Sequence, residues 1–78
     1  MARLVFLGRL EDIAGASERT VPGGALVEVL AALEADLVAA LTADRIRLAI
    51  NGTLVSDRAG LVIGEGDELA FLPPVSGG

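Results

Sequence analysis

Only one stretch of this chain has the spacing of a helix long enough to cover a sheet. Leu26, Val29, Leu30, Leu33, Leu37 and Leu41 recur at steps of three and four residues and form one apolar stripe. Glu28, Ala32 and Asp36 fall mostly on the opposite side. Elsewhere the apolar residues come in short runs broken by glycine, proline and charge. That combination leaves an α+β arrangement, a helix packed on one face of a mixed sheet. Alanine and leucine favour helix throughout the segment, so its end is unmarked. It either stops near Ala35 or breaks and resumes through Leu41. The stripe is read as core packed on the sheet rather than as a binding groove.

The remaining segments supply the strands. Leu4 to Leu7 is a continuous apolar run, as in a central strand covered on both faces. Leu10 to Gly15 suits one helical turn closed by the glycine. Glu18 to Val21 alternates weakly and stops at Pro22, which fits an edge strand in a loose hairpin with the first. Pro22-Gly-Gly24 punctuates the chain, and the helix begins near Ala25. Arg47–Ile50 and Thr53–Val55 flank Asn51-Gly52, a strong hairpin signal. Ser56 to Gly60 is loop-like, Leu61 to Ile63 is short and apolar, and Gly64 to Asp67 makes a turn. Glu68 to Leu72 forms the last strand. Its alternation puts Leu69 and Phe71 on one face and Ala70 and Leu72 on the other. Either pair can meet the helix, so Phe71 is core or the rim of a partner surface.

The chain has 78 residues with neither cysteine nor histidine. It is expected to form one domain, near the size limit for a core without staples. No disulfide and no ordinary zinc site is available, so no metal is expected. The usual nucleophile and base of hydrolases are missing too, which argues against catalysis by this chain alone. The net charge is −5, from eleven acids against six arginines and no lysine, so nucleic acid is not an expected partner. Apolar residues make up 53%, more than so small a domain buries, and an exposed patch that meets a partner is expected. Ala25 to Ala43 carries Glu28, Glu34 and Asp36, which excludes it as a membrane span. No leader-like stretch precedes the first strand, and a cytoplasmic location is expected. Glu65, Asp67 and Glu68 read as a solvated turn, with a basic partner or a cation as the alternative. Arg45, Arg47 and Arg58 are surface cations that could pair with partner acids, although isolated surface arginines usually contribute little. Gly8, Gly15, Gly23 and Gly24 lack the order of a phosphate-binding loop, so any nucleotide belongs to a partner.

The end of the sequence, Phe71-Leu-Pro-Pro-Val-Ser-Gly-Gly78, carries the functional signal. Pro73 and Pro74 fix φ near −65° and hold the backbone extended, and Leu72 is driven the same way. Gly77 and Gly78 have no Cβ and can thread a slot too narrow for side chains. A terminal carboxylate on such a stalk is either a frayed end or the reactive group. The joint occurrence of stalk and slim tip favours the second reading. Residues 1–72 are the expected domain and 73–78 its tail.

These residues resemble the small subunit of molybdopterin synthase, one of the ubiquitin-like β-grasp sulfur carriers. The similarity lies in Ala49-Ile-Asn-Gly-Thr-Leu-Val-Ser56, in Gly66-Asp-Glu-Leu-Ala-Phe-Leu-Pro-Pro-Val-Ser-Gly-Gly78, and in Phe6, Leu10 and Gly15 near the start. The resemblance implies a β-grasp fold of about four to five strands on one main helix. It also implies the chemistry. A carboxyl with an ordinary pKa of about 3.5 is ionised at neutral pH and a poor electrophile. An E1-like adenylyltransferase, using ATP and magnesium, would convert Gly78 to an acyl-adenylate. A persulfide enzyme would then displace AMP and leave a thiocarboxylate on Gly78. The large catalytic subunit of the synthase would receive the tail and pass the sulfur to the dithiolene of molybdopterin. This chain would bind no cofactor itself. Gly77 would let the tip enter, while Phe71, Pro73, Pro74, Val75 and Ser76 would meet the partner. The same resemblance admits a carrier for tRNA thiolation or thiazole synthesis, or a ubiquitin-like modifier joined to other proteins through Gly78.

Overall fold

The computed structural model describes residues 1–74. In chain order the elements are β1 (Ala2–Phe6), α1 (Arg9–Ala14), β2 (Glu18–Val21), β3 (Gly24–Ala25), α2 (Leu26–Ala31), α3 (Ala35–Leu41), β4 (Arg47–Ile50), β5 (Thr53–Leu54), β6 (Val62–Ile63) and β7 (Glu68–Leu72). Five of the strands form a mixed sheet in the order β2-β1-β7-β4-β5. The central pair, β1 and β7, is parallel, with Leu4 beside Leu69 and Phe6 beside Phe71. The outer pairs are antiparallel. β3 and β6 make a separate two-stranded ladder that the sequence reading did not foresee. The architecture is α+β and matches the expected β-grasp arrangement of strands.

One face of the sheet is covered and the other is open. Ala2, Leu4 and Phe6 of β1, Leu48 of β4, and Leu69 and Phe71 of β7 are buried beneath Leu10, Leu37 and Leu41 of the helices. β1 is therefore central but not covered twice, because Arg3 and Val5 lie on the open side. The run Leu4 to Leu7 looked doubly buried because its outward residues are apolar as well.

The apolar stripe folds as two helices rather than one. Ala32 and Leu33 donate to the carbonyls three residues back, Val29 and Leu30, which tightens and ends α2. Glu34 is extended and accepts two bonds from Arg19 at 2.9 and 3.1 Å, fixing the break against β2. A single helix over 26–41 would run about 24 Å. The central strands, each of five residues, span about 17 Å. The break turns the second segment back over α1, and Leu37 and Leu41 thereby reach the core. Leu30 and Leu33 stay half-buried and line an open apolar groove of about 840 Å³ with Leu26, Val38 and Leu61. The stripe is thus core at its ends and groove wall in its middle.

Local chemistry explains the turns. Asn51 and Gly52 both have positive φ, 48° and 87°, the geometry that joins strands through a two-residue turn. Gly15 closes α1 in the left-handed conformation, its N–H bonded to the Glu11 carbonyl. At the start of α2, Glu28 reaches back to the Ala25 N–H at 3.2 Å.

Phe71 is 1% exposed and stacks on Phe6, with ring centroids 5.9 Å apart. Replacing Phe71 with alanine should cost about 3–5 kcal/mol, a large share of the stability of a domain this size. Leu72→Ala, on the other face of the same strand, should cost less than about 1 kcal/mol. Urea titrations followed by far-UV circular dichroism compare the two. Equal losses would contradict the facing of β7.

Candidate functional site

The site is built where β7 ends. Because β7 lies between β1 and β4, the chain reaches Pro73 from the middle of the sheet and not from an edge. The Phe71 ring is locked in the core, and the Phe71 carbonyl accepts the Leu7 N–H at 3.2 Å. Leu72 sits opposite Arg47 on the open face, half-buried. Pro73 and Pro74 follow, also half-buried. The root of the tail is therefore held by three neighbours before the prolines stiffen it.

Gly8 is the residue that makes this root possible. A Cβ added there would lie 3.0 Å from Cγ of Pro73, and its φ of 57° is one that side chains resist. The signal was present in the sequence as a lone glycine directly after the first strand, but only the fold shows that Pro73 rests on it.

The open face around the root is apolar at its centre. Val5 pairs with Ala70, Ala70 with Ala49, and Ala49 with Leu54, while Leu72 closes the strip at one end. Leu54 is 56% exposed. Charges frame the strip: Arg3, Glu18 and Glu68 on one side, Arg47 beside Leu72. Apolar residues ringed by charge are the make-up of a protein-binding surface. Val5, Ala70 and Leu72 are half-buried and Ala49 is buried in this strip, which adjoins the tail.

Of the residues expected to act, Pro73 and Pro74 come together at this root, directly after Leu72. Phe71 does not reach the partner rim; its ring is core and acts by anchoring the strand. Val75, Ser76, Gly77 and Gly78 lie outside the described residues. Among the described residues, the groove beside α2 and α3 shares none with β7 or with Pro73 and Pro74, and Arg58 is the one charged group on its walls.

The acidic turn is occupied internally. Glu65 accepts bonds from the amino group of Met1 and from the Gly23 N–H, and Glu68 pairs with Arg3. Asp67 accepts from the Asn51 side chain at 3.1 Å and the Gly64 N–H at 2.8 Å. The amino group of Met1, then the Gly23 N–H, hold Glu65 below the usual carboxylate range. The Asn51 amide, then the Gly64 N–H, do the same for Asp67. These carboxylates pin the turn between β6 and β7. Among the described residues no group of three potential ligands could hold a metal ion. No helix among them is long and apolar enough to cross a membrane.

Residues 4–78 match the model of the ThiS family. The fold is similar to the crystal structure of SAMP1 from Haloferax volcanii, with a TM-score of 0.74 and 27% identity over 99% of this chain and 98% of the other. It is also similar to the solution structure of the small archaeal modifier protein 1 from Methanosarcina acetivorans, with a TM-score of 0.77 and 26% identity over 99% and 95% of the two chains. No curated protein matches the sequence significantly.

Two expectations test this geometry. Gly8→Ala should cost more than about 1 kcal/mol, because its φ is unfavourable for alanine. It should also displace the stalk, seen as chemical-shift changes at Pro73 and Pro74 that exceed those at Asn51. Glu65 and Asp67 bind protons more weakly folded than unfolded, so their stabilisation is complete above their unfolded pKa values. It is lost as pH falls through those values toward the lower folded ones. Melting temperature should hold from neutral pH to about 5 and then drop, and Asp67→Ala should flatten that drop.

Proposed function

The chain belongs to the ThiS family of ubiquitin-like sulfur carriers, and from that premise we propose that it carries sulfur as a thiocarboxylate on Gly78. In this reading an E1-like adenylyltransferase consumes ATP with magnesium and links the Gly78 carboxylate to AMP. The outer sulfur of an enzyme persulfide attacks the carbonyl and expels AMP, and a second thiol then cleaves the S–S bond, leaving a thiocarboxylate on Gly78 and a disulfide on the donor side. The loaded carrier then serves as the small subunit of molybdopterin synthase, its tail entering the large catalytic subunit to supply the dithiolene. The carrier itself holds no cofactor, and the work is cytoplasmic.

The observation that carries the proposal is the anchored root. Leu72 to Pro74 leave from the centre of the sheet beside an apolar strip. A partner that grips the strip gains a fixed origin for the tail, and proximity then replaces a search for the reactive carbonyl. Pro73 and Pro74 limit the freedom lost when Val75 to Gly78 are drawn into a slot. The Pro-Pro-Val-Ser-Gly-Gly ending supports the molybdopterin branch over thiazole synthesis, while carriers for tRNA thiolation share such an ending.

A second reading has its own support. The two similar structures described above, at 27% and 26% identity, are SAMP1, the small archaeal modifier protein 1. A modifier would use the same adenylated Gly78 and transfer it to a lysine amine of another protein.

Intact mass of the protein isolated from its own cells separates the two. Replacement of one oxygen by sulfur, localised to Gly78, is the expected result. Adducts on lysines of other proteins, with no sulfur form, would give the function to the modifier. Deleting Gly78, or appending one residue after it, should abolish dithiolene assembly while leaving the melting temperature unchanged.

A further inference from the structure

The arginines of this chain divide into two sets. Arg3 is held by Glu68, with Glu18 at 4.0 Å, and Arg19 is held by Glu34. Arg58 donates to the Ile46 carbonyl at 2.7 Å. Arg9, Arg45 and Arg47 are exposed and have no carboxylate within ion-pair distance among the described residues. Arg47 stands at the root of the tail, and Arg45 and Arg9 lie near its level in the chain. Arg47 is opposite Leu72 in the β4–β7 register. Arg45 is two residues earlier, in a left-handed conformation with φ of 77°. Arg9 opens α1 directly after Gly8, the residue against which Pro73 lies. At the other end of β7, Glu65, Asp67 and Glu68 already have partners within the chain. A protein of net charge −5 thus gathers unpaired cations at the one place from which its tail departs.

We propose that Arg47, flanked by Arg45 and Arg9, docks on a carboxylate patch of the activating enzyme and decides which partner the carrier meets. The proposal rests on the sulfur-carrier reading and names the chemistry of its first partner. Arginine presents a planar fork that grips a carboxylate with two bonds, and exposed forks left open are free to do so. The position of Arg47 opposite Leu72 completes an apolar centre with a charged rim, where charge sets encounter and register. A nucleotide phosphate is the other anion in such a reaction, at the far end of the tail: Gly78 is six residues beyond Leu72, a reach of up to about 20 Å when the tail is drawn out. Cations at the root of a threaded tail therefore face the rim of the partner and not the adenylate.

The test is ATP–pyrophosphate exchange by the E1-like enzyme of the same organism, run against concentration of the full-length carrier. Arg47→Glu should raise KM for the carrier about tenfold or more at low salt, with kcat within about twofold of wild type. Arg47→Lys should fall between, because it keeps charge but loses the fork. The gap should close near 0.5 M salt, roughly where screening shortens to a few ångströms. Unchanged melting temperatures show that the fold is intact. A chain lacking Gly77 and Gly78 should compete with wild type for the enzyme, and Arg47→Glu in that background should compete about tenfold worse. If Arg47→Glu and the triple variant with Arg9→Glu and Arg45→Glu match wild type in KM, the docking proposal falls and the carrier reading stands. If the wild-type chain supports no exchange, or the chain lacking Gly77 and Gly78 supports it, the carrier reading falls and takes this proposal with it.

Discussion

The structure depends on the parallel pairing of β1 with β7 and on the Phe6–Phe71 stack that fills the space between them and the helices. Every other element is referred to that pair. β2 and β4 attach to its two sides, α1 and α3 cover it, and the tail begins where it ends. A parallel pair joins distant parts of a chain, so this one ties the first strand to the last. The result is a tail whose origin is as fixed as the core itself.

The two sides of the sheet divide the work. The covered side spends large side chains on packing, with Leu4, Phe6, Leu10, Leu37, Leu41, Leu48, Leu69 and Phe71 nearly inaccessible. The open side keeps small and medium apolar residues, Val5, Ala49, Leu54, Ala70 and Leu72, where a partner can cover them. A chain with no staple would gain stability by burying more of this surface. The acids near Glu65 belong to neither side; they pin the turn that starts β7.

Much of the fold was legible because local chemistry and global structure agree. Asn51-Gly52 needs two positive φ values and has them. The ranges Glu18–Val21 and Glu68–Leu72 were bounded by proline and glycine, which strands rarely pass. What stayed hidden has a common cause. Val5 and Leu7 are apolar for reasons other than the core, so the first strand read as doubly buried. The break after Ala31 has no sequence marker, since it is set by the length of the sheet and by Arg19 reaching Glu34. The facing of Phe71 required the register with Phe6. The contact between Gly8 and Pro73 joins residues far apart in the chain, and no local pattern encodes it. At the site, the tail announced itself, whereas the surface beside it was visible only as excess apolar content.

The placement of β7 also orders the assembly of the molecule. It is the last of the elements along the chain, yet it occupies the centre of the sheet. Before it inserts, β1 with β2 and β4 with β5 are two hairpins, each with a bare inner edge. Joining them closes a loop over nearly the whole chain, which makes folding slow compared with local contacts. Ala70 and Leu72 take their places on the open face in that same event. The apolar strip beside the tail root is therefore complete only when β7 is in place between β1 and β4.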